Sequence, residues 1–158
     1  MSKTCVLILE NLRSVENTAS IFRTAEGLGV SKIILVGTTP APLDRFGRKR
    51  VDFSKVALGA EDLIEWEHVA VQNFQFTISN LQTDGFKIIA LEQHPKSKKL
   101  RADSLQLEAF ALVVGNEVDG VSKEILETVD EIVEIPMQGK KESLNVSVAT
   151  GIALFVLI

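Results

Sequence analysis

The sequence has few of the residues that build disulfides, metal sites and membrane spans. It contains one cysteine, Cys5, and two histidines, His68 and His94, among 158 residues. A single thiol cannot form an internal disulfide, and the two histidines lack the spacing of metal ligands. The stretch closest to a membrane span, residues 149–158, is too short for a bilayer crossing, which needs about 20 apolar residues. The first residues do not resemble a signal peptide. We therefore expect a cytoplasmic protein with no metal and no membrane segment.

The chain also lacks a surplus of positive charge. It has 17 Lys and Arg against 21 Asp and Glu, a formal net charge of −4. This balance excludes a protein that coats nucleic acid through its overall charge. Two local basic runs remain. Residues 38–52 are predicted to form a long loop that contains Arg45, Arg48, Lys49 and Arg50. Residues 96–101 contain Lys96, Lys98, Lys99 and Arg101. Either run can be explained equally well as a solvated surface loop.

Apolar residues, by contrast, make up 46% of the chain, which is enough for one core in a domain of this length. Short runs rich in Val and Ile predict strands buried on both faces at residues 5–9, 32–36, 87–91, 109–114 and 131–135. Helical spacing between them is shown by Ile21, Phe22, Ala25 and Leu28, and again by Ile125, Leu126 and Val129. Residues 71–81 fit helix or strand, and Asp84-Gly85 before the next strand favours a helix. We expect an α/β fold: a single domain over residues 1–158 with a mainly parallel sheet flanked by helices.

Both common glycine-rich phosphate motifs are absent, which disfavours kinases, NTPases and dinucleotide-binding Rossmann enzymes. Three polar clusters instead lie where α/β proteins bind ligands, at residues 17–27, 115–120 and 135–147. Each cluster also has a purely structural explanation. Asn17 is predicted to cap the helix that carries Arg23, and residues 115–120 suit an exposed turn. Ser143 is predicted to cap the final helix, with Asn145 in its first turn.

Taken together, the three clusters resemble the three motifs of the SpoU-TrmH family of RNA ribose 2′-O-methyltransferases, within the SPOUT superfamily. The most specific segments are VVGNEVDGVS, residues 113–122, and IPMQGKKESLNVSVA, residues 135–149. The resemblance covers nearly the whole chain. It implies transfer of a methyl group from S-adenosylmethionine to a ribose 2′-hydroxyl of tRNA or rRNA. It also implies a C-terminal trefoil knot that wraps the methyl donor.

The resemblance assigns site residues position by position. The catalytic positions are Asn17, Arg23, Glu117, Ser143 and Asn145. The donor-binding positions are Leu91, Gly115, Ile135, Met137 and Leu144. It makes Arg23 the base, although arginine normally stays protonated; Arg23 could instead clamp a substrate phosphate and polarise the hydroxyl. Glu117 could position Arg23 or a neighbour, and Ser143 and Asn145 could orient substrate or donor at a helix N-terminus.

Two surfaces are predicted to bind macromolecules. A phosphate-binding rim for RNA is predicted from Arg45, Arg48, Lys49, Arg50, Lys140 and Lys141, because affinity for a polyanion depends on local neutralisation of phosphates. The run at residues 96–101 is a weaker candidate. The final helix, predicted over residues 144–158, is apolar almost all round. With the resemblance, it predicts a homodimer in which Arg23 serves a donor bound by the other subunit. No separate RNA-binding domain is expected.

Two other functions stay open. A catalytically silent RNA-binding or assembly factor with the same fold should have lost some of the polar motif residues, yet Arg23, Glu117, Ser143 and Asn145 all remain. A flavodoxin-like or other small ligand-binding module would need a phosphate loop after the first strand, and residues 9–13 do not provide one. The sequence does not define which RNA or nucleotide would be modified.

Overall fold

The structure, a computed structural model, describes residues 3–103 and 105–158. Its strands are β1 (Thr4–Glu10), β2 (Lys32–Val36), β3 (Glu65–Val69), β4 (Lys87–Leu91), β5 (Lys98–Lys99), β6 (Ala109–Val114) and β7 (Glu131–Glu134). They form one seven-stranded sheet in the order β3-β2-β1-β6-β4-β7-β5. Every pairing within it is parallel. The expected α/β fold with a parallel sheet is therefore confirmed.

Helices cover both faces of the sheet. They are α1 (Val15–Gly27), α2 (Val51–Ala57), α3 (Ala60–Leu63), α4 (Phe74–Thr83), α5 (Lys123–Leu126) and α6 (Val146–Leu157), with a 3₁₀ turn at Val71–Asn73. The apolar residues of α1, α2, α3 and α6 pack in one core, and those of α4 and α5 pack in the other. Phe22 on α1 meets Phe53 on α2 edge to face, with ring centroids 5.1 Å apart. This contact joins two helices of the same layer.

The central strands are apolar without interruption because both of their faces are buried. On β1, Leu7 and Leu9 enter the core beneath α1 and α6, whereas Val6 and Ile8 enter the core beneath α4. Cys5 lies on this strand too, 1% exposed, and burial raises the pKa of its thiol from 9.0 to about 12. This alternation explains why β1, β2, β4 and β6 could be predicted as strands buried on both sides.

The two edge strands were not predicted. β3 is largely exposed, and its Glu65 and Glu67 both form ion pairs with Lys32. β5 is only two residues long, and it falls inside the basic run predicted as a loop at residues 96–101. An edge strand buries little apolar surface, so its sequence shows neither an apolar run nor a clean alternation.

The predicted helices differ from the structure mainly at their ends. Residues 71–81 are helical as predicted, and Gly85, with φ +90°, follows the end of α4. The final helix begins at Val146 instead of residue 144, and the basic loop ends at Arg50 because α2 begins at Val51. α5 is shorter than its apolar spacing indicated, since it ends at Leu126. The last predicted strand, residues 131–135, ends one residue earlier than predicted, at Glu134.

Candidate functional site

A cavity of about 480 Å³ lies at the carboxyl ends of β4, β6 and β7, next to the start of α6. All five residues predicted to bind the methyl donor line it: Leu91, Gly115, Ile135, Met137 and Leu144. Three of the five predicted catalytic residues also line it, namely Glu117, Ser143 and Asn145. Parallel α/β sheets bind ligands at this edge, where side chains from several strands meet. The structure therefore brings most of the predicted site together in one concave surface.

The charged side chains that line the cavity are all acidic. Its lining includes Glu92, Glu117 and Glu134, and it includes no lysine, arginine or histidine among the residues that the structure describes. Such a lining favours a ligand that carries positive charge over one that carries negative charge.

The remaining predicted catalytic residues, Asn17 and Arg23, lie on α1 and do not line this cavity. The prediction that Asn17 caps α1 is wrong. Ser14 is the capping residue, and its Oγ accepts a hydrogen bond from the Asn17 backbone N–H at 3.0 Å. Either residue type can cap a helix, so the sequence alone favoured neither strongly. The Asn17 side chain faces the start of α6, where its Oδ1 accepts a hydrogen bond from Asn145 Nδ2 at 3.4 Å. Arg23 is exposed.

Asn145, and not Ser143, caps the final helix. Its Oδ1 accepts hydrogen bonds from the Ser147 backbone N–H at 2.9 Å and from the Ser147 hydroxyl at 2.6 Å. The backbone of Asn145 has ψ 139°, outside the helical region, so the helix cannot extend back to Leu144. The predicted cap at Ser143 is wrong for this reason, and so is the placing of Asn145 inside the first turn.

Glu117 contacts the backbone that leads into α1. Its carboxylate accepts hydrogen bonds from the N–H of Arg13 at 3.2 Å and of Ser14 at 3.4 Å. Of the two roles predicted for Glu117, positioning Arg23 or positioning a neighbour, the contacts correspond to the second. They fix the start of the helix that carries Asn17 and Arg23.

Glu10 is a site-supporting residue that the sequence analysis missed. Its side chain is 3% exposed, and its two carboxylate oxygens accept hydrogen bonds from the Ser122 backbone N–H at 2.8 Å and hydroxyl at 2.6 Å. Nearby, Asn116 Nδ2 donates to the Asn11 carbonyl at 2.7 Å. These bonds tie the end of β1 to the loop after β6. The sequence did contain a signal for this role, namely an acidic residue at the end of a buried apolar strand. A buried carboxylate needs hydrogen-bonding partners, so such a residue is expected to hold a neighbouring segment.

The loop after β6 requires glycine at two positions. A Cβ at Gly115 would overlap the backbone of Gly120 and Val121. Gly120 has φ +71°, and a Cβ there would overlap the Glu92 carboxylate, which accepts a hydrogen bond from the Val121 N–H at 2.9 Å. The loop is therefore more than the exposed turn that its composition suggested, since its backbone forms part of the cavity wall.

Three of the six residues of the predicted RNA-binding rim form ion pairs. Arg48 pairs with Asp44 at 3.1 Å, Lys49 with Asp62 at 2.8 Å and Arg50 with Asp52 at 2.9 Å. The remaining rim residues, Arg45, Lys140 and Lys141, are exposed. Lys140 and Lys141 lie in the segment between Met137 and Ser143, both of which line the cavity. Only these two rim residues are therefore adjacent in sequence to the cavity lining.

A parallel sheet with a cavity at its carboxyl edge defines a ligand-binding α/β domain. The family model of the SpoU rRNA methylase family matches residues 4–155. The chain belongs to this family.

Known relatives agree with this assignment. A 23S rRNA (guanosine-2′-O-)-methyltransferase of Ralstonia nicotianae is 34% identical over 150 residues, which cover 95% of this chain and 56% of that protein. The solved A. aeolicus TrmH/SpoU tRNA modifying enzyme matches with a TM-score of 0.80 and 29% identity over 98% of this chain and 74% of that one. The AdoMet-bound rRNA methyltransferase from Sinorhizobium meliloti has the same fold, with a TM-score of 0.82 and 24% identity over 99% of this chain and 56% of that one. The chain thus spans little more than half the length of the Ralstonia relative.

The described residues also bear on membrane spans and metal sites. None of the helices in residues 3–103 and 105–158 combines the length and apolarity needed to cross a membrane. Over the same residues, no three His, Cys, Asp or Glu side chains group closely enough to hold a metal ion.

Proposed function

We propose that the protein is an S-adenosylmethionine-dependent RNA methyltransferase that modifies a ribose 2′-hydroxyl of tRNA or rRNA. The observation that carries the proposal is the cavity, because residues of the second and third motifs form it together with Leu91, although they lie in separate parts of the sequence. The family relatives support it, since they are named as enzymes of rRNA and tRNA 2′-O-methylation or modification. A cytoplasmic location is part of this proposal.

The cavity fits S-adenosylmethionine in size and chemistry. Its volume, about 480 Å³, lies within the range of small-molecule sites. The apolar side chains of Leu91, Ile135, Met137 and Leu144 would hold the adenine ring, and backbone groups at the strand ends would bind its polar edge. The acidic lining suits the positive sulfonium of this cofactor. When bound, S-adenosylmethionine supplies an electrophilic methyl group.

The chain's own residues would prepare the substrate hydroxyl. A ribose 2′-hydroxyl is a weak nucleophile, so its proton must be polarised or removed. We assign this task to Arg23, either as base or as a clamp on the adjacent phosphate. Asn145 and Ser143 line the cavity and would orient the ribose or the donor. Glu117 would keep α1, and with it Arg23, in register with the cavity through its bonds to Arg13 and Ser14.

The proposal includes a homodimer. Arg23 is exposed and outside the cavity lining, which supports a role at the cavity of a second copy. On α6, Val148, Ile152 and Phe155 are 51%, 40% and 76% exposed. Their spacing places them on one side of the helix, and an apolar stripe of this kind is typical of a subunit contact.

The proposal also includes a C-terminal trefoil knot. β5 pairs with β7 on the side opposite β4, so the chain between β4 and β5 passes around the end of β7. Leu105 and Leu107 then pack in the core beneath α1 and α6. In the proposed knot, the chain that leaves β7 threads past this segment to reach α6. Gln93 Nε2, in the segment between β4 and β5, donates to the Glu142 carbonyl at 2.7 Å, a contact between the two segments that the knot would bring together.

The function is tested by calorimetric titration with S-adenosylmethionine, followed by incubation with tRNA and rRNA and mass spectrometry of the digested RNA. We expect donor binding and a new 2′-O-methylated nucleotide. Failure to bind either the donor or S-adenosylhomocysteine would contradict the enzyme proposal. RNA binding without methyl transfer would favour the catalytically silent factor.

A further inference from the structure

Phe46 is an exposed aromatic residue flanked by two arginines. Its side chain is 66% exposed at the tip of the loop between β2 and α2. The guanidinium carbons of Arg45 and Arg48 lie 4.8 and 5.0 Å from its ring centroid. Among the described residues, Phe76 and Phe155 are comparably exposed, but only Phe46 has a cation at this distance. The ring therefore belongs to a cluster of one aromatic ring and two guanidinium groups, Arg45-Phe46-Arg48.

The loop holds this cluster in a defined geometry. Asp44 Oδ1 accepts hydrogen bonds from the N–H of Phe46 at 2.8 Å and of Arg48 at 3.0 Å. These bonds, led by that from Arg48, hold the pKa of Asp44 below its ordinary value. Leu43 and Lys49 form an antiparallel bridge across the base of the tip, and Gly47 takes φ +76° at the turn. A preorganised loop loses little entropy when it binds a partner.

The loop that carries the cluster begins at the same edge of the sheet as the cavity. The loop leaves the carboxyl end of β2, and all strands of the sheet are parallel. Its first residues are anchored to the segment before α1, because the Thr38 N–H donates to Asn11 Oδ1 at 3.1 Å and the Thr38 hydroxyl donates to the Leu12 carbonyl at 3.3 Å. The same segment holds Glu117 of the cavity. These contacts link the base of the loop to the cavity through the segment before α1, and RNA is a ligand long enough to extend from the cavity along this edge.

We propose that the Arg45-Phe46-Arg48 cluster stacks on an unpaired nucleobase of the RNA substrate. This inference rests on the proposed function and adds to it a preference for single-stranded RNA at the contact. Aromatic rings and guanidinium planes are the groups on which proteins stack splayed-out bases. Folding does not require the exposed ring, which buries little surface in the domain. Arg45 has no acidic partner among the described residues, so its guanidinium donors are free for a phosphate beside the stacked base.

The test compares a ligand that has bases with one that has none. The probes are a ten-nucleotide oligoadenylate containing one 2-aminopurine, whose fluorescence is quenched by stacking, and inorganic polyphosphate of similar charge. The variants are Phe46→Leu, which keeps an apolar side chain without a ring, and Phe46→Trp, which keeps a ring. Phe76→Leu, at an exposed phenylalanine on α4, is the matched control.

We expect Phe46→Leu to weaken oligoadenylate binding roughly tenfold, the effect of losing one stacked base. The salt dependence of binding and the affinity for polyphosphate should not change, because the ring carries no charge. Phe46→Trp should bind like the unmodified chain and keep the change in 2-aminopurine fluorescence, and Phe76→Leu should have no effect.

Other results would overturn the inference. Unchanged oligoadenylate binding in Phe46→Leu contradicts stacking while leaving the proposed function intact, and so does an equal loss for both probes. A changed oligomeric state in Phe46→Leu, measured by ultracentrifugation, would make the cluster a protein contact instead. If the unmodified chain binds neither probe, the inference fails together with RNA binding. Donor binding, measured without RNA, tests the enzyme proposal separately.

Discussion

Arg23 is the single residue on which the proposed chemistry depends most, and it is exposed on α1 outside the donor cavity. Replacing it with alanine should remove the group that we propose activates the hydroxyl, while leaving the fold nearly unchanged. We expect methyl transfer to fall about 100-fold or more and the free energy of unfolding to change by less than about 1 kcal/mol.

The rate is measured by transfer of a labelled methyl group to RNA, and donor affinity by calorimetry. Glu26→Ala, at an exposed position on the same helix, is the control and should keep normal turnover. Near-normal methyl transfer in Arg23→Ala would remove Arg23 from the mechanism.

Cys5 makes stability depend on pH in the alkaline range. Its pKa is about 12 in the folded chain against an ordinary 9.0, so only the unfolded state loses the thiol proton between these values. The resulting stabilisation is complete below pH 9 and is lost as pH rises towards 12. Compared with Cys5→Ala, the free energy of unfolding should decline by about 1 kcal/mol more between pH 9 and pH 10. The free energy of unfolding is measured by chemical denaturation at both pH values. An equal decline in the unmodified chain and in Cys5→Ala would contradict the prediction.

At the scale of elements, burial decides what the sequence could predict. The strands β1, β2, β4 and β6 lie between two helical layers, so their apolar runs are unmistakable. β3 pairs with one neighbour and carries Glu65 and Glu67, and β5 is a strand only because it pairs with β7. Such strands depend on tertiary contacts that local sequence does not contain.

The candidate site shows the same division. Gly115 belongs to a polar cluster that follows a predicted buried strand, whereas Leu91 is assigned to the site by the family resemblance alone, and both line the cavity. The hydrogen-bonding partners of Glu10 and Glu117 could not be predicted from the sequence, because these bonds join residues more than 100 positions apart. The caps at Ser14 and Asn145 were misjudged because several polar residues near each helix start have similar capping preferences.

The basic loop between β2 and α2 is tested as an element by replacing Arg48, Lys49 and Arg50 with alanine together. Each of them forms an ion pair in the free chain, but exposed ion pairs are weak and can exchange for phosphate. We expect weaker RNA binding and a flatter slope of log affinity against log salt concentration, with donor affinity unchanged.

A triple replacement of Lys96, Lys98 and Lys99 provides the comparison for the second basic run. Lys98 there pairs with Glu131 at 3.1 Å. If that variant, and not the first, flattens the salt slope, the phosphate-binding surface lies on the β5 side of the sheet.

At the scale of the whole molecule, the exposed apolar stripe on α6 predicts self-association. Phe155→Lys places a charge within the proposed contact, at its most exposed apolar residue, where desolvation of the charge would be unfavourable. We expect this variant to be monomeric in sedimentation experiments while its donor affinity stays within a few-fold of normal. Phe76→Lys, on α4 at the opposite face, should not alter the oligomeric state. A monomeric unmodified chain, or a dimeric Phe155→Lys, would contradict the predicted contact.

The two edges of the sheet bear on aggregation. An edge strand exposes unpaired N–H and C=O groups that can recruit a strand from another molecule. Here one edge is β3, with Glu65 and Glu67 at alternate positions, and the other is β5, with only Lys98 and Lys99. Charges and short length both oppose the addition of a further strand. The sheet is therefore protected against growth into intermolecular β structure, and copies of the chain can remain native at concentrations where an apolar edge would precipitate.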